Sequence, residues 1–320
     1  MIKQDIADID AFITHDMQSN ADYLRQVAVC LTERQRPPLH LNILLLSLKM
    51  INYQGQKHIQ SAVIFEYIFA ATKFHDDTME QKVSCQNEVL NQGLKGKDSR
   101  ILVGDFFYSR AYCLMANLDK MNVVTHLTNA INQYTQGQSL QVSRAGDSAT
   151  SEQQYFQQVK QKCCLFYTSV AQVVSELGDC TEEQTQALGD YALHVGIASQ
   201  IIEETLGCIR GNEADQNKQS NLSFLVIRGL QQSNPTLRQL IQTKLIQIDN
   251  FKQPVATEVI TQICAQTDAL SYTHCQIEIE IKKAVGALQA FDKSIYRQVL
   301  QDCATELLVA FDADLVDLSC

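Results

Sequence analysis

The chain has 320 residues, of which 45% are hydrophobic, only 4 are Pro and 13 are Gly, and its formal net charge is −10. That length and apolar content are enough for a large core, and few breakers with much Gln, Ala, Leu and Ile favour helix over strand. The acidic balance argues against non-specific nucleic-acid binding, which needs a basic surface.

The 11 Cys form no paired CxxC spacing and the 7 His no HExxH; with no signal peptide read ahead of them, such scattered thiols suit a reducing cytoplasm. No apolar run reaches the ~18 residues of a membrane span, so no transmembrane segment is expected.

Residues 1–33 carry a helical pattern through Ile6, Ile9, Phe12 and Ile13, then Tyr23, Leu24, Val27 and Leu31, and Pro37-Pro38 breaks it. LHLNILLLSLKMI then predicts a buried helix, and 52–56 a turn around Gly55. From His58 to Glu80 the chain is apolar on nearly every face, as expected of a helix in the centre of a bundle. Residues 84–97 read as a polar loop, 100–117 and 119–141 as helices, and 143–154 as a loop. Two long helices are expected over 153–177 and 181–208, the second capped by Thr181 with Glu182 and Glu183 in its first turn. The polar stretch 210–221 reads as a lid, and helices follow over 235–249, 254–270, 272–290 and 293–312. Cys163 and Cys164 read as small buried hydrophobes. The expectation is an all-α protein of ten to thirteen helices, with no strand, repeat or heptad run.

Two acidic clusters end two of these apolar helices. Asp76 and Glu80 are four residues apart and share a helical face with Asp77 beside them, and Glu203-Glu204 ends SQIIEETLG. Acidic residues at one helix end are ordinarily solvated surface. Two such clusters on unusually apolar helices are a pattern for Mg2+, a hard cation held by carboxylates and substrate phosphates.

FAATKFHDDTME (69–80) resembles the first aspartate-rich motif of the trans-isoprenyl diphosphate synthases, or polyprenyl synthetases. LVGDFFYSRAYCLM (102–115) resembles that family's next helix, with Gly104, Asp105, Ser109 and Arg110 in register. Gln136–Gln141 is similar to its GE-x-x-Q stretch, YFQQVKQKCCLF (155–166) to its Y-x6-KTA helix, and ALGDYALHVGIASQIIEETLG (187–207) to the helix ending in F-Q-x-x-DD-x-x-D. Lys283, Ala284, Ala287, Leu288, Leu300 and Ala304 suit its C-terminal helix pair. The resemblance covers about 30–310 and implies one all-α domain over 1–320, an isoprenoid-synthase-type bundle around a central cavity. It also implies a homodimer or a heterodimer with an active polyprenyl synthase. The implied reaction is condensation of an allylic diphosphate, ionised by Mg2+, with isopentenyl diphosphate.

Carried over residue by residue, the resemblance implies metal ligands at Asp76, Asp77, Glu80, Glu203 and Glu204, and catalytic roles for Lys162 and Gln200. It implies substrate contacts at Arg34, Arg36 and Lys218, and a cavity floor at Ala71 and Thr72, small enough to leave the tunnel open for long chains. Lys73 stands near that floor and is expected to pair with an acid or face a subunit interface. The chain departs from the family pattern elsewhere. Glu80 replaces Asp, Glu203 and Glu204 replace an Asp pair, and Gly207 replaces the last Asp of the second motif. Glu33 stands where the family has Lys, Phe69 where it has His, Cys85 and Gln86 where it has an Arg pair, and Cys163 where it has Thr. A carboxylate in place of an ammonium repels a diphosphate. These losses imply a catalytically impaired or regulatory partner subunit. The alternatives are an active Mg2+-dependent prenyltransferase with a remodelled site and an enzyme that ionises an allylic diphosphate without isopentenyl diphosphate.

Overall fold

The computed structural model describes residues 1–18, 22–32, 37–80, 97–143, 149–163, 167–210, 222–251 and 257–319. Among these the fold is all-α, with no strand and fourteen α-helices. They are α1 Lys3–Asp16, α2 Asp22–Thr32, α3 Leu39–Met50, α4 Lys57–Glu80, α5 Lys97–Ala116, α6 Met121–Ser143 and α7 Glu152–Cys163. They continue with α8 Ser169–Gly178, α9 Glu182–Arg210, α10 Phe224–Gln232, α11 Pro235–Phe251, α12 Thr257–Gln266, α13 Ala269–Ala287 and α14 Ile295–Ser319. No described helix is long and apolar enough to cross a membrane.

The chain groups into two compact units, each drawn from separated stretches. The first takes Met1–Thr128, Ser169–Thr185 and Lys293–Leu300. Its centre is α4, which packs most extensively on α5 and also on α1, α3 and α8. Every residue from Ser61 to Ile68 is buried, which is the burial that an all-round apolar helix requires. Lys57 and Gln60 of α4 donate to the carbonyls of Leu118 and Leu114, at 2.6 and 2.8 Å, and so satisfy acceptors at the end of α5. Asn52, Asp119 and Asp179 take left-handed conformations just after α3, α5 and α8 (φ 57°, 53° and 50°). Short polar side chains tolerate that geometry. The turn expected around Gly55 therefore reverses at Asn52, while Gly55 leaves room for the Tyr53 ring.

The second unit takes Asn129–Thr168, Gln186–Asp292 and Gln301–Cys320. Here α10 is buried along most of its length and packs on α7, α12 and α13. Gly229 admits Ile263 of α12, whose Cγ2 would stand 2.6 Å from an added Cβ. Glu280 of α13 is buried, and His194, Gln276 and Lys283 surround its carboxylate at 2.5, 3.0 and 2.9 Å. Burial raises the Glu280 carboxyl, but its hydrogen bonds and the nearby His194 and Lys283 outweigh that and hold it below the usual range.

One expectation is corrected, and two other stretches gain detail. The 153–177 segment is two helices, α7 and α8, with Tyr167 and Thr168 forming a π turn that leads into α8. The 1–33 segment likewise holds two helices, α1 and α2. The short helix α10 was not anticipated, although Ser223 accepts from the Val226 amide as its N-cap. The cap expected at Thr181 is present as a capping box: the Gln184 amide donates to Oγ1, and the Thr181 amide donates to the Gln184 side chain. Most of the lid at 210–221, most of the loop at 84–97, and the side chains of Cys163 and Cys164 lie outside the described residues, while Arg210 closes α9.

Candidate functional site

The first acidic cluster sits at the end of α4, whereas Glu203 and Glu204 lie nearly two turns before the end of α9 at Arg210. A helix C-terminus carries the negative pole of the helix dipole, where a carboxylate is disfavoured by roughly 0.3–1 kcal/mol. Helix stability therefore does not account for the acids at the end of α4, and the effect has faded at Glu203 and Glu204.

In the first unit, Asp76 is half-buried on α4, and Asp77 and Glu80 follow on the same helix, their side chains outside the described set. The residue before them is fixed: His75 Nε2 lies 3.2 Å from Asp105 Oδ1 and 3.4 Å from the Ile101 carbonyl of α5. Gly104 makes this approach possible, because a Cβ there would fall 2.3 Å from His75 Nε2. Tyr108 stands beside the His75 ring, at 5.5 Å between centroids, and Phe107 stacks on Phe74 at 6.2 Å. Thr72, whose hydroxyl bonds the Ile68 carbonyl at 2.5 Å, also meets the Tyr108 phenol. Burial chiefly raises that phenol, with Tyr112 and Asp76 adding to it.

Ala71 and Thr72 are buried, and Lys73 is exposed. The aromatic beside this small pair is thus Tyr108, contributed by α5. A shallow groove of about 600 Å³ follows the same face of α5 and is lined by Asp105, Tyr108, Ser109, Tyr112, Cys113 and Ala116. Arg110 faces the other way. It pairs with Asp16 of α1, which also accepts from Tyr67 Oη at 2.8 Å, so this motif arginine holds helices together.

Phe69 packs against the ring of His40 with 5.0 Å between centroids. His40 in turn lies 2.6 Å from Glu66, and both are buried, 4% and 3% exposed. The position where the resemblance expects an imidazole is apolar packing, and the nearest imidazole on α3 is committed to a carboxylate.

In the second unit, Glu204 of α9 is half-buried and receives two hydrogen bonds. Tyr155 Oη of α7 donates to its Oε2 at 2.7 Å, and Gln200 Nε2, one turn earlier, donates to Oε1 at 2.8 Å. Burial pushes this carboxyl above the usual range and Glu203 adds to that, against the two hydrogen bonds and the charge of Lys162. Glu203 is exposed, and Lys162 is half-buried on α7. One turn beyond Glu204, Cys208 bonds the Ser223 hydroxyl at 3.2 Å, and burial takes its thiol up to about 11. Tyr155 is the residue that motif reasoning left without a role; the signal for it was its place at the head of the Y-x6-K pattern.

Arg34, Arg36 and Lys218 lie outside the described residues, as do Glu33, Cys85 and Gln86. The available donors are carboxylate oxygens, which fit a hard divalent cation in kind. Among the described residues, no three or more His, Cys, Asp or Glu side chains are grouped to enclose one.

The polyprenyl synthetase family model matches residues 32–263, well over half of the chain. Octaprenyl diphosphate synthase of Escherichia coli is 25% identical over 303 residues, 93% of each chain. All-trans-nonaprenyl-diphosphate synthase (geranyl-diphosphate specific) of Rhodobacter capsulatus is 26% identical over 309 residues, again 93% of each. Among solved structures, a decaprenyl diphosphate synthase from Rhodobacter capsulatus superposes with a TM-score of 0.82 at 23% identity, covering 97% of both chains. A polyprenyl synthase from Caulobacter crescentus, complexed with calcium and isoprenyl diphosphate, gives 0.84 at 21% identity, covering 96% of this chain and 95% of that one. At those identities the structural likeness is one of fold, and together with the matched model it means that the chain belongs to the polyprenyl synthetase family.

Proposed function

We propose that this polyprenyl-diphosphate-synthase-like chain serves isoprenoid biosynthesis as a catalytically impaired or regulatory subunit, paired with an active polyprenyl synthase. The observation that carries the reading is Phe69. The family histidine is replaced by a ring packed on His40, and His40 is taken up by the buried Glu66. No cation is supplied to a diphosphate from that spot. The substitutions at Glu33, Cys85, Gln86 and Gly207 point the same way.

In this reading, residues 1–320 work as one domain, which the interleaving of both units along the chain supports. The protein is cytoplasmic and dimeric. Leu102, Tyr112 and Met121 stand 64%, 44% and 75% exposed on α5 and the start of α6, apolar side chains of the kind that a subunit covers. Divalent metal enters by analogy with the calcium-bound relative. Mg2+ would be held by Asp76, Asp77 and Glu80 and by the second cluster, where it would stabilise charge on a departing diphosphate. Lys162 and Gln200 would orient the allylic diphosphate, with Arg34, Arg36 and Lys218 as further contacts. Ala71 and Thr72 would leave room for a long chain.

The second reading, an active prenyltransferase with a remodelled site, is favoured by Lys162, Gln200 and both acidic clusters remaining polar and in register. Two experiments separate the readings. Size-exclusion chromatography with light scattering, on the chain mixed with an active long-chain synthase, is expected to show a heteromer. A homodimer that condenses isopentenyl diphosphate alone refutes the first reading. Restoring Glu33→Lys, Phe69→His, Cys85→Arg and Gln86→Arg together is expected to raise condensation. No gain would place the defect on the metal side as well.

A further inference from the structure

We infer that Lys73 is a built-in counter-charge for the first acidic cluster: standing one turn ahead of Asp76 and Asp77, it offsets part of their charge in the metal-free protein and weakens the hold of a divalent cation there. Lys73 precedes Asp76 by three residues, Asp77 by four and Glu80 by seven, all within α4. Residues at these spacings share one helical face. The other side of α4 belongs to α5. An added Cβ on Gly104 would meet His75 and the Ala71 carbonyl, Phe74 stacks on Phe107, and His75 lies 3.2 Å from Asp105.

The basic residues between Ala70 and Glu80 are Lys73 and His75. His75 is turned to α5 and its acid there. The Lys73 side chain is exposed and, among the described residues, makes no ion pair or hydrogen bond. Packing therefore gives it no task, and its register assigns it to the acids. Three carboxylates fall within 76–80, at the helix end where the dipole adds further negative charge. A lysine carries its ammonium on a flexible four-carbon stem, so one side chain can screen more than one of them.

Two effects follow from one charge. With no metal present, Lys73 relieves the repulsion among the acids and steadies the last turns of α4. With a divalent cation present, the same ammonium repels it. A unit charge roughly 7 Å from a divalent ion in a water-exposed setting lowers affinity by about three- to tenfold. The helix end is thus partly neutralised without metal, which suits a subunit that does not carry out the ionisation itself. The first effect stands on the helix register and exposure alone. The second rests on the reading above that places Mg2+ at this cluster, so the test has two arms.

The first arm is thermal melting of the full chain in chelator. Lys73→Gln keeps length and helix propensity and removes the charge. At low salt it is expected to lower the midpoint by about 1 °C, Lys73→Glu to lower it by about twice that, and Lys73→Arg to leave it unchanged. At about 1 M NaCl the series should collapse onto wild type. No loss, or a loss that salt does not remove, overturns the counter-charge. The second arm is binding of Mn2+, a surrogate for Mg2+, followed by electron paramagnetic resonance of the free ion at low salt. Lys73→Gln is expected to tighten binding about three- to tenfold, and Asp76→Asn with Asp77→Asn to abolish that gain. Unchanged or weaker binding by Lys73→Gln, or a gain that survives loss of both aspartates, overturns the antagonism. If neither wild type nor Lys73→Gln binds Mn2+, the metal reading of this cluster falls and the antagonism with it, while the melting series still decides the counter-charge.

Discussion

Gly104→Ala is the sharpest probe of how the first acidic cluster is held. In a helix interior, Ala is ordinarily better than Gly by about 1 kcal/mol, so propensity predicts stabilisation. The local geometry predicts the reverse. The new Cβ would stand 2.3 and 2.4 Å from Nε2 and Cδ2 of His75, where ordinary contact begins near 3.4 Å, and 3.2 Å from the Ala71 carbonyl. His75 cannot retreat without leaving Asp105 and the Ile101 carbonyl.

Overpacking of this kind costs about 1–3 kcal/mol, and the partly exposed ion pair adds about 0.5 kcal/mol. Set against the propensity gain, the net expectation is destabilisation by about 1–2 kcal/mol. A double-mutant cycle in urea isolates the cause. In a His75→Ala background the clashing ring is gone, and Gly104→Ala should turn neutral or stabilising, by up to about 1 kcal/mol. If Gly104→Ala costs as much without His75 as with it, the close approach of α4 and α5 does not depend on this pair, and the account given for Gly104 and Asp105 is wrong.

Three further perturbations test the packing around the site. Asp16→Ala strips the partner from Arg110 and from Tyr67 Oη, and should cost about 1–3 kcal/mol in urea midpoint, with Asp16→Asn in between because its amide still accepts from the phenol. Glu280→Gln leaves His194 and Lys283 beside a neutral side chain and should cost about 3 kcal/mol at pH 7. Since the folded carboxyl lies below its ordinary 4.5, its contribution is present above that pH and is lost as pH falls through the folded value. The gap between wild type and variant should accordingly shrink on acidification below about 4.5, and a gap that widens contradicts the assignment. Gly229→Ala drives a Cβ to 2.6 Å from Cγ2 of Ile263, a stiff branched side chain, and should lower stability by about 1–2 kcal/mol despite the helix propensity of Ala.

Much of the fold was readable because its signals are local. The all-round apolar pattern of 58–80 has one use in an all-α protein, and α4 is the centre of its unit. The cap at Thr181 is a four-residue pattern and forms as such. What was misread lacks a local mark. No Pro or Gly interrupts 153–177, yet the chain passes through a π turn and leaves one unit for the other there. The nine residues of α10 are too few to show a period between a polar run and Pro235, so Ser223 was their one visible sign. At the site, the carboxylates were found by order and spacing. Their partners were not, because Tyr155 and Glu204 lie 49 residues apart and His40 and Glu66 lie 26 apart. Such pairs are decided by packing and leave no periodic trace.

The family residues that this chain keeps and those that it has replaced divide along a physical line. Gly104 and Asp105 seat His75, Arg110 ties α1 to α5 through Asp16, and Tyr155 and Gln200 brace Glu204. Each of these retained residues has a mechanical task in this structure that would persist without any substrate, whereas Asp76, Asp77 and Lys162 are retained with no such task among the contacts described. The replacements fall at Glu33, Phe69, Cys85, Gln86 and Gly207, where the family resemblance places contacts to diphosphate or metal rather than contacts between helices. Glu203 and Glu204 straddle the line, since Glu203 is exposed while Glu204 is hydrogen-bonded to Tyr155 and Gln200. Those retained residues that packing already explains are therefore weak testimony for catalysis here. This is why direct binding of Mg2+ and pyrophosphate carries more weight than the count of motif positions still matched.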